Sequence, residues 1–242
     1  MKTNIIEGAQ LKRALANAVR CLEKNKEEVN SLNVFPVPDG DTGTNMLLTI
    51  KSALKQGLEA DENDTSKIAQ AASQGSLMGA RGNSGVILSQ LFRGFANGLQ
   101  GKVNIDIETL AKGLKEASDT AYKAVMKPTE GTILTVAREC GEYAMATYRR
   151  ERDILEFLRK IIDHGNETLN KTPDMLPVLK QAGVVDAGGK GFMYILIGAY
   201  NSLAGIDEHI EEREDTKSQA VHRDVEEIET DDIKYGYCTE FM

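Results

Sequence analysis

The chain has no tryptophan, and Phe, Trp and Tyr together supply 5% of its 242 residues. Platforms on which the bases of single-stranded nucleic acid could stack are therefore nearly lacking. Positive charge is short as well: 29 Lys and Arg stand against 37 Asp and Glu, and a formal charge of -8 disfavours binding to a phosphate backbone. The longest apolar run, Phe192 to Ala199, falls far below the roughly 18 residues that a bilayer span needs. The opening Met1-Lys2-Thr3-Asn4-Ile5-Ile6-Glu7 lacks the apolar stretch of a secretory signal. Three cysteines, Cys21, Cys140 and Cys238, are an odd number at wide spacing with no Cys-x-x-Cys pair, which predicts reduced thiols and a cytoplasmic setting. Membrane-spanning, disulfide-scaffold and basic nucleic-acid-binding classes are thus excluded, and activity has to be read from motifs.

With 41% hydrophobic and 27% charged residues, the length suits one sizeable globular domain with or without an appendage. The charge is uneven. Residues 207–232 hold 12 Asp or Glu against 3 Lys or Arg, leaving the remainder at +1, and read as an acidic linker. Residues 233–242, aromatic and apolar up to Phe241, read as the first strand of a following domain that the chain does not contain. The expected organisation is a domain over 1–206, the linker over 207–232, and the start of a truncated domain over 233–242.

Before the linker, apolar residues recur at helical spacing: Leu11, Leu15, Ala18, Leu22; Leu47, Ile50, Leu54, Leu58; Ile87, Leu91, Phe95, Leu99. Further helices are predicted over 107–126, 132–149, 154–170, 173–181 and 189–203, and Asp64 caps another ahead of Ile68. Strand-like alternation is nearly absent. About nine helices with short connections predict an all-α fold, an antiparallel up-and-down bundle or barrel.

Glycine, 22 of 242 residues, concentrates in three patches: Gly40 and Gly43; Gly75, Gly79, Gly82 and Gly85; Gly183, Gly188, Gly189 and Gly191. Each leads into a predicted helix, a pattern that points to a phosphate-bearing ligand approaching the backbone closely. In the first, Asn33-Val34-Phe35-Pro36-Val37-Pro38-Asp39-Gly40-Asp41-Thr42-Gly43-Thr44-Asn45, two prolines stiffen the approach and Gly40 permits a sharp turn that aims Asp39 and Asp41 at one point. Such hard oxygen ligands suit Mg²⁺. An EF-hand is ruled out, because Ile50 stands where its bidentate Glu is required. The plainer alternative is a Pro/Gly/Asp turn with Thr44 or Asn45 capping the next helix.

The second patch, Gly79-Ala80-Arg81-Gly82-Asn83-Ser84-Gly85, runs into a helix whose free N–H groups and dipole make an anion site, with Arg81, Asn83 and Ser84 as added donors or simple caps. A Walker A loop is absent, since Gly189 stands where its Lys belongs. In the third patch Asp186 can bond a ribose or purine and Lys190 a phosphate, although a turn or capping role for Asp186 is the simpler reading. A weaker signal is Lys127-Pro128-Thr129-Glu130-Gly131-Thr132, with Thr132 near a helix start. No catalytic triad is visible around His164, His209 or His222.

Asn33 to Asn45, Gly79 to Gly85 and Asp186 to Gly191 together resemble the ATP-binding domain of the dihydroxyacetone kinase L-subunit family, most closely the N-terminal domain of bacterial fatty acid kinase. The likeness covers about residues 1–206 and implies a barrel of about eight antiparallel helices with ATP and Mg²⁺, two ions, held by loops at one end. It implies that Asp39 and Asp41 are the catalytic metal carboxylates with Asn33 as a further ligand, and that Thr42, Thr44, Asn45, Gly82, Asn83, Ser84, Thr132 and Asp186 bind the nucleotide. Glycerone kinases usually carry a third Asp at the place of Asn33 and a His at that of Thr42, so the departure favours the fatty acid kinase branch. In that branch a separate fatty-acid-binding protein presents the acyl carboxylate, the product being an acyl phosphate for phospholipid synthesis. A fatty acid carboxylate is ionised at pH 7, so no general base is required. The resemblance further implies later domains, with Cys238 in a site completed there and a homodimer for the full-length protein. Two other functions fit the same residues: a dihydroxyacetone phosphotransfer subunit, and a nucleotide-binding regulatory module without turnover.

Overall fold

The computed structural model describes residues 4–206. The expected linker over 207–232, the segment 233–242 and Cys238 lie outside the described residues. After a two-residue strand β1 (Ile5–Ile6) come α1 (Gly8–Lys24), the short α2 (Lys26–Ser31), α3 (Thr42–Glu59), α4 (Thr65–Met78) and α5 (Gly82–Gly98). Strand β2 (Ile105–Asp106) precedes α6 (Ile107–Ala124), α7 (Ile133–Thr147), α8 (Ile154–Met175), the short α9 (Pro177–Ala182) and α10 (Ala187–Leu203). The two strands pair antiparallel, Ile5 opposite Asp106 and Ile6 opposite Ile105.

Eight of the helices run 14 to 22 residues. Taken in order α1, α3, α4, α5, α6, α7, α8 and α10, each packs on the next, and α10 packs back on α1, closing a ring. The expected up-and-down all-α barrel is what the described residues form. Each wall helix turns one stripe inward: in α8, for example, Ile154, Phe157, Leu158, Ile161, Ile162 and Leu169 are buried at helical spacing. Phe157, Met46, Ile50, Leu88, Leu99 and Met193 fill the interior, and burying side chains of this size stabilises by about 1.5–3 kcal/mol each.

The largest departure from the expected helix boundaries lies at Pro173. A helix break ahead of Pro173 is predicted, yet α8 continues through Pro173 to Met175. Proline has no N–H for the carbonyl four residues back, which is that of Leu169. Here the Thr172 hydroxyl donates to the Leu169 oxygen at 2.7 Å, so the carbonyl stays satisfied. The break falls instead at Leu176, extended ahead of Pro177, which opens α9.

Alternating direction divides the eight helix starts between two ends of the barrel, and the ends are capped differently. Glu7 and Gln10 form a capping box on α1, while Asp64, Asp106 and Asp153 accept backbone N–H bonds at the starts of α4, α6 and α8. At the other end begin α3, α5, α7 and α10. Asp41, Arg81 and Thr132 make no side-chain cap bond to α3, α5 and α7, and only Asp186 caps its own helix.

The ring closes where α10 meets α1. A Cβ on Gly198 would lie 2.7 Å from the Ala18 Cα and 2.7 Å from the Asn17 oxygen, while the Asn17 amide donates to the Gly198 carbonyl at 2.8 Å. Gly198→Val should therefore force the seam apart and destabilise the domain by about 1–3 kcal/mol or more, visible as a thermal midpoint lowered by about 2–4 °C per kcal/mol. An unchanged midpoint would show that the seam yields without strain.

Candidate functional site

The four starts at the second end open on one cavity of about 490 Å³. Its first wall is the loop from Asn33 to Asp41. Asn33 is buried, and its amide donates to the Val37 carbonyl and to Asp39 Oδ1, both at 2.8 Å, while its own oxygen accepts the Thr42 hydroxyl. One side chain thereby ties the two-proline approach and Asp39 to the first residue of α3. The Phe35–Pro36 peptide is cis, and Gly40 has φ +67°. Asp41 stands at the N-cap of α3 without capping it, so its carboxylate is not committed to the helix.

The second wall is the start of α5. Gly82, at φ +56°, lies under the Asn45 side chain, and a Cβ there would come 2.5 Å from Asn45 Nδ2. The other glycines of that patch serve packing: a Cβ on Gly75 would stand 2.4 Å from the Ser52 oxygen, and one on Gly85 2.4 Å from Thr49 Oγ1. They let α4 and α5 approach α3, a requirement that sequence spacing cannot separate from phosphate binding.

The third wall is the connection to α7, anchored from outside the cavity. Glu130 accepts Arg138 at 2.6 Å, the Tyr122 hydroxyl at 3.0 Å and the Thr135 hydroxyl at 2.8 Å, and the Gly131 amide donates to Thr135 at 2.9 Å. Burial opposes the charge of Glu130, but bonds from Arg138, Thr135 and Tyr122 outweigh it and hold its pKa below the ordinary value. Burial pushes the Tyr122 phenol up to about 12. This network joins residues four to eight apart across a turn, and no local motif announces it.

The fourth wall is Asp186, which is buried, accepts the Gly189 amide at 2.7 Å and donates its own amide to Thr172 Oγ1 at 3.1 Å. Burial raises its pKa to about 6, although the Gly189 and Ile133 amides pull the other way. Because those amides open α10 and α7, one carboxylate answers two helix starts.

Of the residues expected at a site, Asn33, Asp39, Asp41, Thr42, Asn45, Gly82, Asn83, Ser84, Thr132 and Asp186 line the cavity together. Thr44 does not: its amide and hydroxyl are both engaged by Asn30, at 3.1 Å each. Lys190 pairs with Glu28 at 3.2 Å instead of entering the cavity. His164 stacks on Tyr143 away from the site, with ring centroids 4.6 Å apart. Sequence reading missed Asn30 and the Glu130 anchor, whose partners are too far along the chain to signal each other.

The arrangement suits a polyanion with a divalent cation. Apart from the Thr44 amide, which Asn30 takes, the first-turn N–H groups and positive dipole ends of α3 and α5 face the cavity, and Asn45, Asn83 and Ser84 add donors. Among the described residues there is no cluster of three His, Cys, Asp or Glu able to cage a metal. Two carboxylates with room for water and phosphate oxygens instead match the partial coordination that Mg²⁺ adopts.

A family model, described as the DAK2 domain, matches residues 36–201. The chain belongs to the DAK2 domain family. It is 43% identical to the protein YloV of Bacillus subtilis (strain 168) over 249 residues, covering 100% of this chain and 45% of that protein. An uncharacterized protein of Staphylococcus aureus (strain USA300) is 46% identical over 245 residues, covering 98% of this chain and 42% of that protein. The chain thus spans less than half the length of these relatives. The fold also resembles the dihydroxyacetone kinase from C. freundii in complex with AMP-PNP and Mg²⁺, with TM-score 0.60 and 17% identity over 86% of this chain and 35% of that chain. The native form of that kinase gives 0.56, again at 17% identity, over 82% and 34%. In this DAK2 domain no helix among the described residues is long and apolar enough to cross a membrane.

The raised pKa of Asp186 carries a sign. A carboxyl that is harder to ionise when folded than when unfolded binds its proton more tightly in the native state, so its contribution to stability grows as pH falls from about 7 through about 6 toward the ordinary value near 4. Denaturant midpoints measured across that window for wild type and Asp186→Asn should show the variant losing this rise. Parallel curves would mean that Asp186 is ionised throughout.

Proposed function

We propose that this DAK2 domain is the ATP- and Mg²⁺-dependent part of a kinase that transfers the γ-phosphoryl group of ATP to a fatty acid carboxylate presented by a separate fatty-acid-binding protein. The observation that carries the reading is one cavity where the uncapped starts of α3 and α5 meet Asp39 and Asp41. Donors left unpaired in a fold that caps its other end with acids are suited to phosphate oxygens.

In this reading Asp39 and Asp41 hold the metal, and Asn33, the third member of the expected set, orients Asp39 through the bond already described. Mg²⁺, when bound, supplies charge neutralisation for the phosphoryl oxygens. Asn45, Asn83, Ser84 and the backbone around Gly82 position the phosphate chain, and Asp186 fixes the loop that borders the nucleoside. A carboxylate oxygen bonds to the γ-phosphorus while the bridge to the β-phosphate breaks, leaving acyl phosphate and ADP. The acceptor is already ionised, so no proton moves, in keeping with the distance of His164 from the cavity. Resemblance to a dihydroxyacetone kinase at 17% identity speaks to fold, and Thr42, where the glycerone kinases carry His, favours the acyl acceptor.

Asp39→Ala and Asp41→Ala should each abolish acyl phosphate formation from ATP, Mg²⁺ and oleate bound to a bacterial fatty-acid-binding protein, while circular dichroism stays that of wild type. Wild-type turnover by either variant would refute the metal assignment. Phosphorylation of dihydroxyacetone in place of oleate would replace the acceptor. Nucleotide binding without transfer to either would leave a regulatory module.

A further inference from the structure

Beyond the residues given roles above, the cavity carries one more charged side chain. Lys127 is the one cation among the described residues that lines it. Asp39, Asp41 and Asp186 line it too, yet Lys127 forms no hydrogen bond or ion pair with any described residue. Other lysines near the site are occupied, as Lys190 is by Glu28. Arg81, at the start of α5, also has no such partner, but its side chain does not line the cavity.

The placement of Lys127 is built. Pro128 follows it and restricts its backbone to extended conformations. Three residues on, Glu130 pins the loop to Arg138, Tyr122 and Thr135. In the ring order, α7 stands four places from α3, so the loop leading into α7 faces the loop of Asp39 and Asp41 across the cavity. A bound triphosphate with its metal at Asp39 and Asp41 would leave the opposite flank of its terminal group to be neutralised, and Lys127 is the cation on that side.

Resting on the kinase reading, we propose that Lys127 binds the terminal phosphoryl group of the nucleotide through its ammonium, as a point-charge ligand facing the metal carboxylates. The test is calorimetric titration of the full chain with Mg²⁺·ADP and Mg²⁺·AMP-PNP, for wild type, Lys127→Ala and Lys127→Arg. Wild type should prefer AMP-PNP by about tenfold, the scale of one charge-assisted contact. Lys127→Ala should bring the preference close to one while holding ADP affinity within about twofold, and Lys127→Arg should keep most of it. Lys127 is exposed, so the thermal midpoints of both variants should match wild type. An unchanged preference in Lys127→Ala, an equal loss for both nucleotides, or equal wild-type affinities would each overturn the assignment. Wild type binding neither nucleotide would instead bring down the kinase reading itself.

Discussion

Eight helices that alternate in direction and close on themselves must put four starts at each end, and the candidate site depends on that parity. The first turn of every helix leaves backbone N–H groups without partners. At the end where α1, α4, α6 and α8 begin, acidic caps supply those partners. At the other end Asp186 answers α10 and pulls on the Ile133 amide of α7, and Asn30 takes the Thr44 amide of α3, leaving the remaining first-turn donors of α3 and those of α5 open around one cavity. The fold therefore concentrates unspent backbone polarity in one place, and a phosphate-rich ligand is its natural complement.

Holding that end together requires close approach. Gly75, Gly79 and Gly85 bring α4 and α5 onto α3 at distances where a Cβ would collide with Ser52 or Thr49. Asn45 then sits directly over Gly82, linking the first two walls of the cavity. Asn33 performs the matching task within the first wall, using three hydrogen bonds to set Asp39 against the start of α3. Packing and binding are thus served by the same short segments.

Much of this was legible beforehand. Helical periodicity predicted the wall helices, and the Asp39-Gly40-Asp41 core predicted a metal-suited loop; ten of the eleven expected site residues meet in one cavity. Thr44 differs because Asn30, fourteen residues earlier, takes both its amide and its hydroxyl. The helix running through Pro173 was hidden because its compensation is a side-chain bond from Thr172 that propensity does not encode. Glycine patches pointed to the end of the barrel where the cavity opens, although several of those glycines serve helix contact.

The sequence by itself determined the helical class, the stripes that face the core, the acidic caps and the residue types able to hold Mg²⁺ and phosphate, because these depend on periods and offsets of a few residues. Only the tertiary structure decided which helix starts stay open, that Asp186 is buried and shared, that Lys190 is spent on Glu28 and that Lys127 is not. Those outcomes depend on which elements become neighbours when the ring closes, and that is set by packing between residues far apart in the chain.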